Sequence, residues 1–152
     1  MSAVEDRLSA LGLTVPEVAK PVASYVPAVR SGSYVYTSGQ LPMREGQLMT
    51  TGKVGATVTP EDAAACARQC ALNAMAAVKA EIGDLDAVKR VVKVVCFVAS
   101  AVEFTGQPQV ANGASDLLGQ AFGDAGVHAR SAVGVPVLPL DAPVEVEIIV
   151  EV

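Results

Sequence analysis

The sequence predicts an α+β sandwich, a sheet with its helices on one face. Three observations predict it. Two long segments of helical period carry clear start and stop signals, and they alternate with β-branched runs. The elements follow one another roughly as α-β-β-α-β-α-β-β, an order that suits helices gathered on one side of a sheet. The chain has 152 residues, 51% of them hydrophobic, which is enough for one domain with a real core. Aromatic residues make up only 4% and Trp is absent. The core must therefore be built of Ala, Val and Leu, which lets helices lie close to a sheet. It also leaves small apolar surface suited to an oligomer interface.

Each element has its own signal. "SAVEDRLSALGL" places Val4, Leu8 and Leu11 on one side of a short helix, with Gly12 as its stop. "TVPEVAKPVA", with Pro16 and Pro21, reads as an extended arm. Two β-type runs, Val26–Arg30 and Tyr34–Ser38, flank a turn at Ser31-Gly32-Ser33. Residues 43–58 are rich in Gly and Thr and read as loop, with a short strand near Gln47–Met49.

The next helix opens at Thr59, an N-cap followed by Pro60 and by Glu61 and Asp62 at the positive end of the helix dipole; Gly83 closes it. Ala63, Ala67, Cys70, Ala74, Ala77 and Val78 form a small-residue face that can lie flat on a sheet. The run from about Val88 to Ala99 is β-branched at its centre and reads as a central strand covered on both faces. A helix beginning at Pro108 follows, with Val110, Ala114, Leu117, Leu118, Ala121 and Phe122 as its apolar stripe. Two last strands are read at Ser131–Val137 and Val144–Val152. No repeat or linker marks a second domain: residues 1–152 read as a single domain, of which 1–24 are the N-terminal helix and arm.

Composition excludes several functions. The net charge is −5 and no Lys/Arg run exists, so the concentrated basic footprint of a nucleic-acid binder is missing. No stretch approaches the ~20 apolar residues that span a bilayer, and no leader-like apolar segment opens the chain; a soluble, cytoplasmic protein is expected. Cys66, Cys70 and Cys96 are odd in number and show no CxxC spacing, so they read as small buried hydrophobes. With one histidine and no ligand cluster, a zinc site is not expected.

The chemically informative stretch is "HARSAVGVPVLP", residues 128–139. Strand alternation puts Val133, Val135 and Val137 on one face and Arg130, Ala132, Gly134 and Pro136 on the other. That second face is small, so a ligand or a neighbouring subunit can approach it. An arginine cannot give up its charge, and burying it unpartnered is costly. Some anion must meet Arg130. Within the chain the candidates are Glu145, Glu147 and Glu151, which alternate along the last strand.

"HARSAVGVPVLPLDAPVEVEIIVEV" resembles the C-terminal signature of the Rid family (YjgF-like, reactive intermediate deaminases, also labelled endoribonuclease L-PSP). "YVPAVRSGSYVYTSGQLP" resembles its N-terminal signature, and "QVANGASDLLGQAF" the helix that carries its Asn. The resemblance runs from about Tyr25 to the C-terminus, with the three motifs in the family's order. The extra N-terminal helix and longer loops look like a longer branch of that family. The resemblance implies a chorismate-mutase-like α+β fold assembled as a homotrimer around a central barrel, with clefts between subunits. It implies hydrolysis of 2-enamine or 2-imine acids to 2-keto acids and ammonium, with no metal or cofactor.

Carried onto this chain, the resemblance makes Arg130 the holder of the substrate carboxylate, a task its two-pronged donor geometry suits. Tyr25 would line the cleft, Ser38 and the turn at Gly39 would supply polar or backbone contacts, and Asn112 would help hold the ligand. Glu145 would position or activate the attacking water. Many relatives carry Cys two residues after the arginine; this chain has Ala132, which removes any thiol role there. His128 reads as a loop histidine, since the family pattern requires none at that point. The competing readings are a non-catalytic trimer that binds small carboxylates, a ribonuclease, disfavoured by acidity and the lone histidine, and a chorismate mutase, supported by fold analogy alone.

Overall fold

Burial of alternating valines dictates the architecture. In the computed structural model, which describes residues 2–18, 20–21 and 23–152, a five-stranded sheet runs in the order β1-β2-β7-β5-β6. Its strands are β1 (Ala28–Ser31), β2 (Tyr34–Thr37), β5 (Arg90–Ala99), β6 (Ala129–Val135) and β7 (Val144–Glu151). A separate two-stranded hairpin joins β3 (Met43–Arg44) to β4 (Gln47–Leu48). Every pairing is antiparallel except β5–β6, whose parallel strands are connected by a crossover helix.

Among the described residues three α-helices, α1 (Ala3–Ala10), α2 (Pro60–Ile82) and α3 (Gln107–Phe122), and three short 3-10 turns complete the fold. Val144, Val146, Ile148 and Val150 of β7 and Val94, Cys96 and Val98 of β5 are buried on the sheet face that packs against the helices. Glu145, Glu147, Ile149 and Glu151 occupy the opposite face and are half-buried.

The helix signals act as read. Thr59 Oγ1 accepts the Asp62 amide at 3.1 Å, and the Gly83 amide, at φ +85°, returns to the Lys79 carbonyl. All six residues of the small face of α2 are buried. So are Ala71, Leu72, Met75 and Ala76, because α3 and the β3–β4 hairpin pack against α2 as well. Asn73 ties that hairpin down, donating from Nδ2 to the carbonyls of Leu41 (3.1 Å) and Met43 (2.9 Å). The apolar stripe of α3 is buried as expected, and Gly12 stands at φ +74° just after α1. The three cysteines are free and buried; burial pushes the Cys66 thiol up to about 11 and Cys96 to about 12, so they serve as apolar packing.

The structure corrects four expectations. Strand β6 begins at Ala129 and ends at Val135, so Arg130 lies inside the strand and Pro136 and Val137 lie beyond it. The β1–β2 turn is two residues, Gly32 and Ser33, because Ser31 and Tyr34 already pair. The loop at 43–58 holds a complete hairpin whose first strand, β3, is too short for a periodicity signal. β5 is an interior strand, between the middle strand β7 and the edge strand β6, and is covered by helices on one face only; Val95 and Phe97 face away from them and are half-buried. Two residues of the predicted arm, Ala19 and Val22, lie outside the described residues.

Close approach of α3 to α2 rests on Gly113. A Cβ at that position would stand 2.0 Å from the Ala64 carbonyl oxygen, a backbone atom that cannot swing away. We therefore expect Gly113→Ala to cost about 1–3 kcal/mol, the usual range for overpacking, in chemical denaturation. Gly119→Ala in the same helix, where nothing lies within 4 Å, should instead stabilise by about 0.5–1 kcal/mol. Equal effects at both positions would sink the packing argument.

The N-terminal helix is fastened from a distance. Asp86 accepts the amides of Ala3 and Val4 and the Ser2 hydroxyl, capping α1 across the chain. These bonds hold its carboxyl below the usual aspartate value. A depressed folded-state pKa stabilises above the unfolded pKa, and that contribution is lost as pH falls through the folded value. Asp86→Asn should thus raise amide exchange in α1 at neutral pH. The difference from wild type should vanish once the medium is acid enough to protonate Asp86.

Candidate functional site

Arg130 sits on the face of β6 that meets α3, because it shares that face with Ala132 and Gly134 and pairs beside Val94 of β5. What approaches this small face is the chain's own helix. A Cβ at Gly134 would stand 2.8 Å from the Gln107 side-chain nitrogen, so a larger residue there would have to displace the Gln107 amide. The guanidinium then spreads over α3. Its Nη1 donates to Asn112 Oδ1 at 2.7 Å and to Ser115 Oγ at 3.2 Å, and its Nη2 donates to the Pro108 carbonyl at 3.3 Å.

All three acceptors are neutral. The predicted pairing of Arg130 with Glu145, Glu147 or Glu151 does not form: β5 separates β6 from β7, and those glutamates lie on the other face. Among the described residues no carboxylate lies within ion-pair distance of Arg130; the pairs that form are Lys53–Asp141 and Lys79–Glu5. A guanidinium has five N–H groups, two on each Nη and one on Nε. With three donated, the Nε proton and one Nη2 proton have no partner among the described residues. Nε and Nη2 flank one edge of the fork, the spacing that meets a carboxylate with two parallel hydrogen bonds.

The other expected site residues gather elsewhere. Ser38 Oγ donates to the Val26 carbonyl at 2.6 Å and its amide to the Pro27 carbonyl at 2.8 Å, which fixes the segment carrying the exposed Tyr25 beside the end of β2. Tyr25, Gly39, Gln40, Leu41 and Leu140 line a small cavity of about 150 Å³ there. The role of Gly39 is spatial: a Cβ would fall 1.8 Å from Glu145 Oε1, so glycine makes room for that carboxylate against the backbone. Burial, and then the nearby Glu147, raise the Glu145 carboxyl above its ordinary value. One chain thus brings Arg130 together with Asn112, and Glu145 together with Gly39, on opposite faces of the sheet. A larger cavity of about 470 Å³, between the arm, the hairpin and α2, contains none of these residues.

Ser115 escaped the sequence reading, and His128 was read there only as a loop histidine. Ser115 and His128 join the Arg130 cluster, Ser115 Oγ lying 2.9 Å from His128 Nε2. Their spacing carried a usable signal. Ser115 is three residues after Asn112, hence on the same side of α3, and His128 precedes Arg130 by two.

The comparisons agree with this fold. A family model described as "YjgF/chorismate_mutase-like, putative endoribonuclease" matches residues 5–152, and the chain belongs to that family. Protein TCP17 of Trypanosoma cruzi is 48% identical over 149 residues, 97% of this chain and 93% of that protein. The crystal structure of Atu1372 from Agrobacterium tumefaciens, a protein of unknown function, superposes with a TM-score of 0.93 at 46% identity, covering 99% of this chain and 92% of that one. A Shewanella oneidensis protein that carries the endoribonuclease label superposes with a TM-score of 0.95 at 36% identity, covering 98% and 99% of the two chains. The resemblance seen in the sequence is thereby shown, and the α+β fold with helices on one sheet face is the YjgF-like fold. No described helix is long and apolar enough to cross a membrane.

Because Glu147 raises the Glu145 carboxyl, Glu147→Gln should move the Glu145 titration to lower pH. Carboxyl-carbon NMR of the two proteins reads this directly. A midpoint that stays or rises would show that burial alone sets it.

Proposed function

We propose that the protein hydrolyses reactive 2-imino acids, and the enamines that tautomerise to them, to 2-keto acids and ammonium. The observation that carries this reading is the Arg130 fork: a cation anchored by neutral groups, with its Nε proton and one Nη2 proton unpartnered among the described residues and able to meet an incoming carboxylate. Membership of the YjgF family supports it, since that family includes enamine and imine deaminases.

The chemistry asks for modest machinery. An imine carbon is already electrophilic. Arg130 fixes the substrate carboxylate with Asn112 beside it, while Tyr25, Ser38 and the backbone at Gly39 border the reacting end. Glu145 accepts a proton from a water molecule whose oxygen bonds to the imine carbon. The nitrogen is protonated, the C–N bond breaks, and the nitrogen leaves as ammonia as the carbonyl forms. Orientation supplies much of the rate gain, and a carboxylate raised above its ordinary value is a better-matched base near neutral pH. No metal or cofactor enters these steps.

Arg130 and Glu145 stand on opposite faces of one chain, so catalysis requires a second copy to bring its Glu145 face to the Arg130 edge. A homotrimer around a central barrel does this. The outer sheet face suits such burial: Val29, Tyr34, Tyr36 and Val133 are between 41% and 52% exposed in a single chain. The separation of the two groups also favours a second reading, a trimer that binds small carboxylates through Arg130 without turnover. Ribonuclease action is the weakest reading, since the single histidine is held by Ser115 and a backbone carbonyl and the net charge is −5.

The deciding experiment follows 2-keto acid release from enzymatically generated 2-iminopropionate. Wild type should accelerate it, Arg130→Ala should lose carboxylate binding while staying folded, and Glu145→Gln should bind but turn over at least about 100-fold more slowly. Binding without acceleration by the wild type would support the second reading. Unfolding of Arg130→Ala would make the arginine structural.

A further inference from the structure

The anchoring of Arg130 continues beyond its first contacts. Ser115 Oγ receives a proton from Arg130 Nη1 at 3.2 Å, so its own proton must point elsewhere. A serine inside a helix commonly turns that proton back to the carbonyl four residues earlier. Here the His128 ring takes it, with Nε2 2.9 Å from Ser115 Oγ. His128 Nδ1 lies 2.6 Å from the Gly126 carbonyl oxygen, which can only accept. Nδ1 therefore carries the proton, and in the neutral ring Nε2 is the acceptor. The direction of every bond is then fixed: Arg130 to Ser115, Ser115 to His128, His128 to Gly126. The terminal carbonyl is itself immobilised, because a Cβ on Gly126 would stand 2.4 Å from the Leu118 carbonyl of α3, the helix that also carries Ser115.

We propose that His128 is a positioning residue for Arg130, acting through Ser115. By accepting the serine proton it keeps a serine lone pair on Nη1. With Asn112 on the other Nη1 proton, the guanidinium is held in one orientation and its Nε–Nη2 edge meets a carboxylate already aligned. The inference rests on the reading that Arg130 binds carboxylates, and it adds the residues that set the affinity. A serine beside a histidine is also the arrangement of an activated nucleophile. Two features argue against that role. The hydroxyl is occupied by the guanidinium, and mid-helix backbone amides are spent on the helix and offer no oxyanion hole.

The test uses the full-length protein and pyruvate as the probe carboxylate, titrated calorimetrically. Losing one net hydrogen bond corresponds to a change of roughly fivefold in affinity. Ser115→Ala and His128→Ala should each weaken pyruvate binding by about that factor, and the double variant should be no worse than either single one. Ser115→Thr, which keeps the hydroxyl, should restore binding, and melting temperatures should stay close to wild type. In the unliganded protein, nitrogen-15 NMR should show an Nδ1-protonated His128. Exchange between the distinct Arg130 Nη signals should quicken in both single alanine variants, since one of the three anchors is lost and Asn112 and Pro108 remain.

Single variants that bind as wild type does, or additive losses in the double variant, would overturn the positioning role. So would unchanged Arg130 Nη signals, a reading that needs no ligand. Labelling of Ser115 by a fluorophosphonate that depends on His128 would replace it with a nucleophile. If Arg130→Ala itself leaves pyruvate binding intact, the carboxylate reading fails, whatever the guanidinium order shows.

Discussion

The structure depends on how closely α3 can approach its neighbours. Glycine and alanine make the contact: Gly113 lies against the Ala64 carbonyl of α2, and Gly134 of β6 leaves space for the Gln107 amide at the start of α3. Gln107 in turn donates to Ser100 Oγ and to the Phe104 carbonyl, locking the segment that leads from β5 into α3. A larger residue at Gly113 would push α3 off α2, and one at Gly134 would displace the Gln107 amide. Were α3 to shift away from β6, Arg130 would lose Pro108, Asn112 and Ser115 together, since all three lie on that one helix. A composition rich in small residues is thus a condition for the site as well as for the core.

The same sheet carries opposite chemistry on its two faces. The helix side is mainly apolar, with Thr37 buried in it and Arg30 and Arg130 on the two edge strands, and the far side sets Glu145, Glu147 and Glu151 among Phe97, Tyr36 and Ile149. Neighbouring carboxylates on a half-apolar surface repel one another, and the raised Glu145 carboxyl records that cost together with its burial. A raised folded-state pKa favours the protonated form, so ionising Glu145 subtracts stability as pH climbs past its folded value. Side chains that weaken a fold when ionised are common where chemistry needs them. An uncompensated cation on one face and a reluctant anion on the other are complementary, and in a single copy they cannot meet.

Much of the fold was legible because its signals are local. The Thr59–Pro60 start and Gly83 stop of α2, the stripe of α3 and the valine alternation of β7 each follow from a few adjacent residues and one period. The β3–β4 hairpin was not legible as a pair: two-residue strands have no period, and this one is held by Asn73, which lies thirty residues from Met43 along the chain. The coverage of β5 was misjudged because a β-branched run records only that both faces avoid water, and helices cover just one of them here. In the site, Arg130 and Asn112 were recognised through motifs. The sequence could not show that Ser38 would spend its hydroxyl on Val26, or that Gly39 would matter for the room it leaves Glu145. Those are long-range contacts with no spacing signature.

The anchoring of Arg130 by neutral groups has a consequence for selectivity. A structural arginine is normally held by a carboxylate, and that pairing both stabilises the cation and occupies its fork. Amide, hydroxyl and carbonyl acceptors stabilise it less and orient it as well. They leave the positive charge uncancelled at a half-exposed position, where an incoming anion needs to displace only water. A glutamate at Asn112 would give a firmer local structure and close the site, because the fork's charge would already be matched. Asn112 and Ser115 are therefore more than weak substitutes for an ion pair: under the function proposed above, their neutrality would keep the fork open to a small carboxylate in a chain whose overall charge, −5, would otherwise repel one.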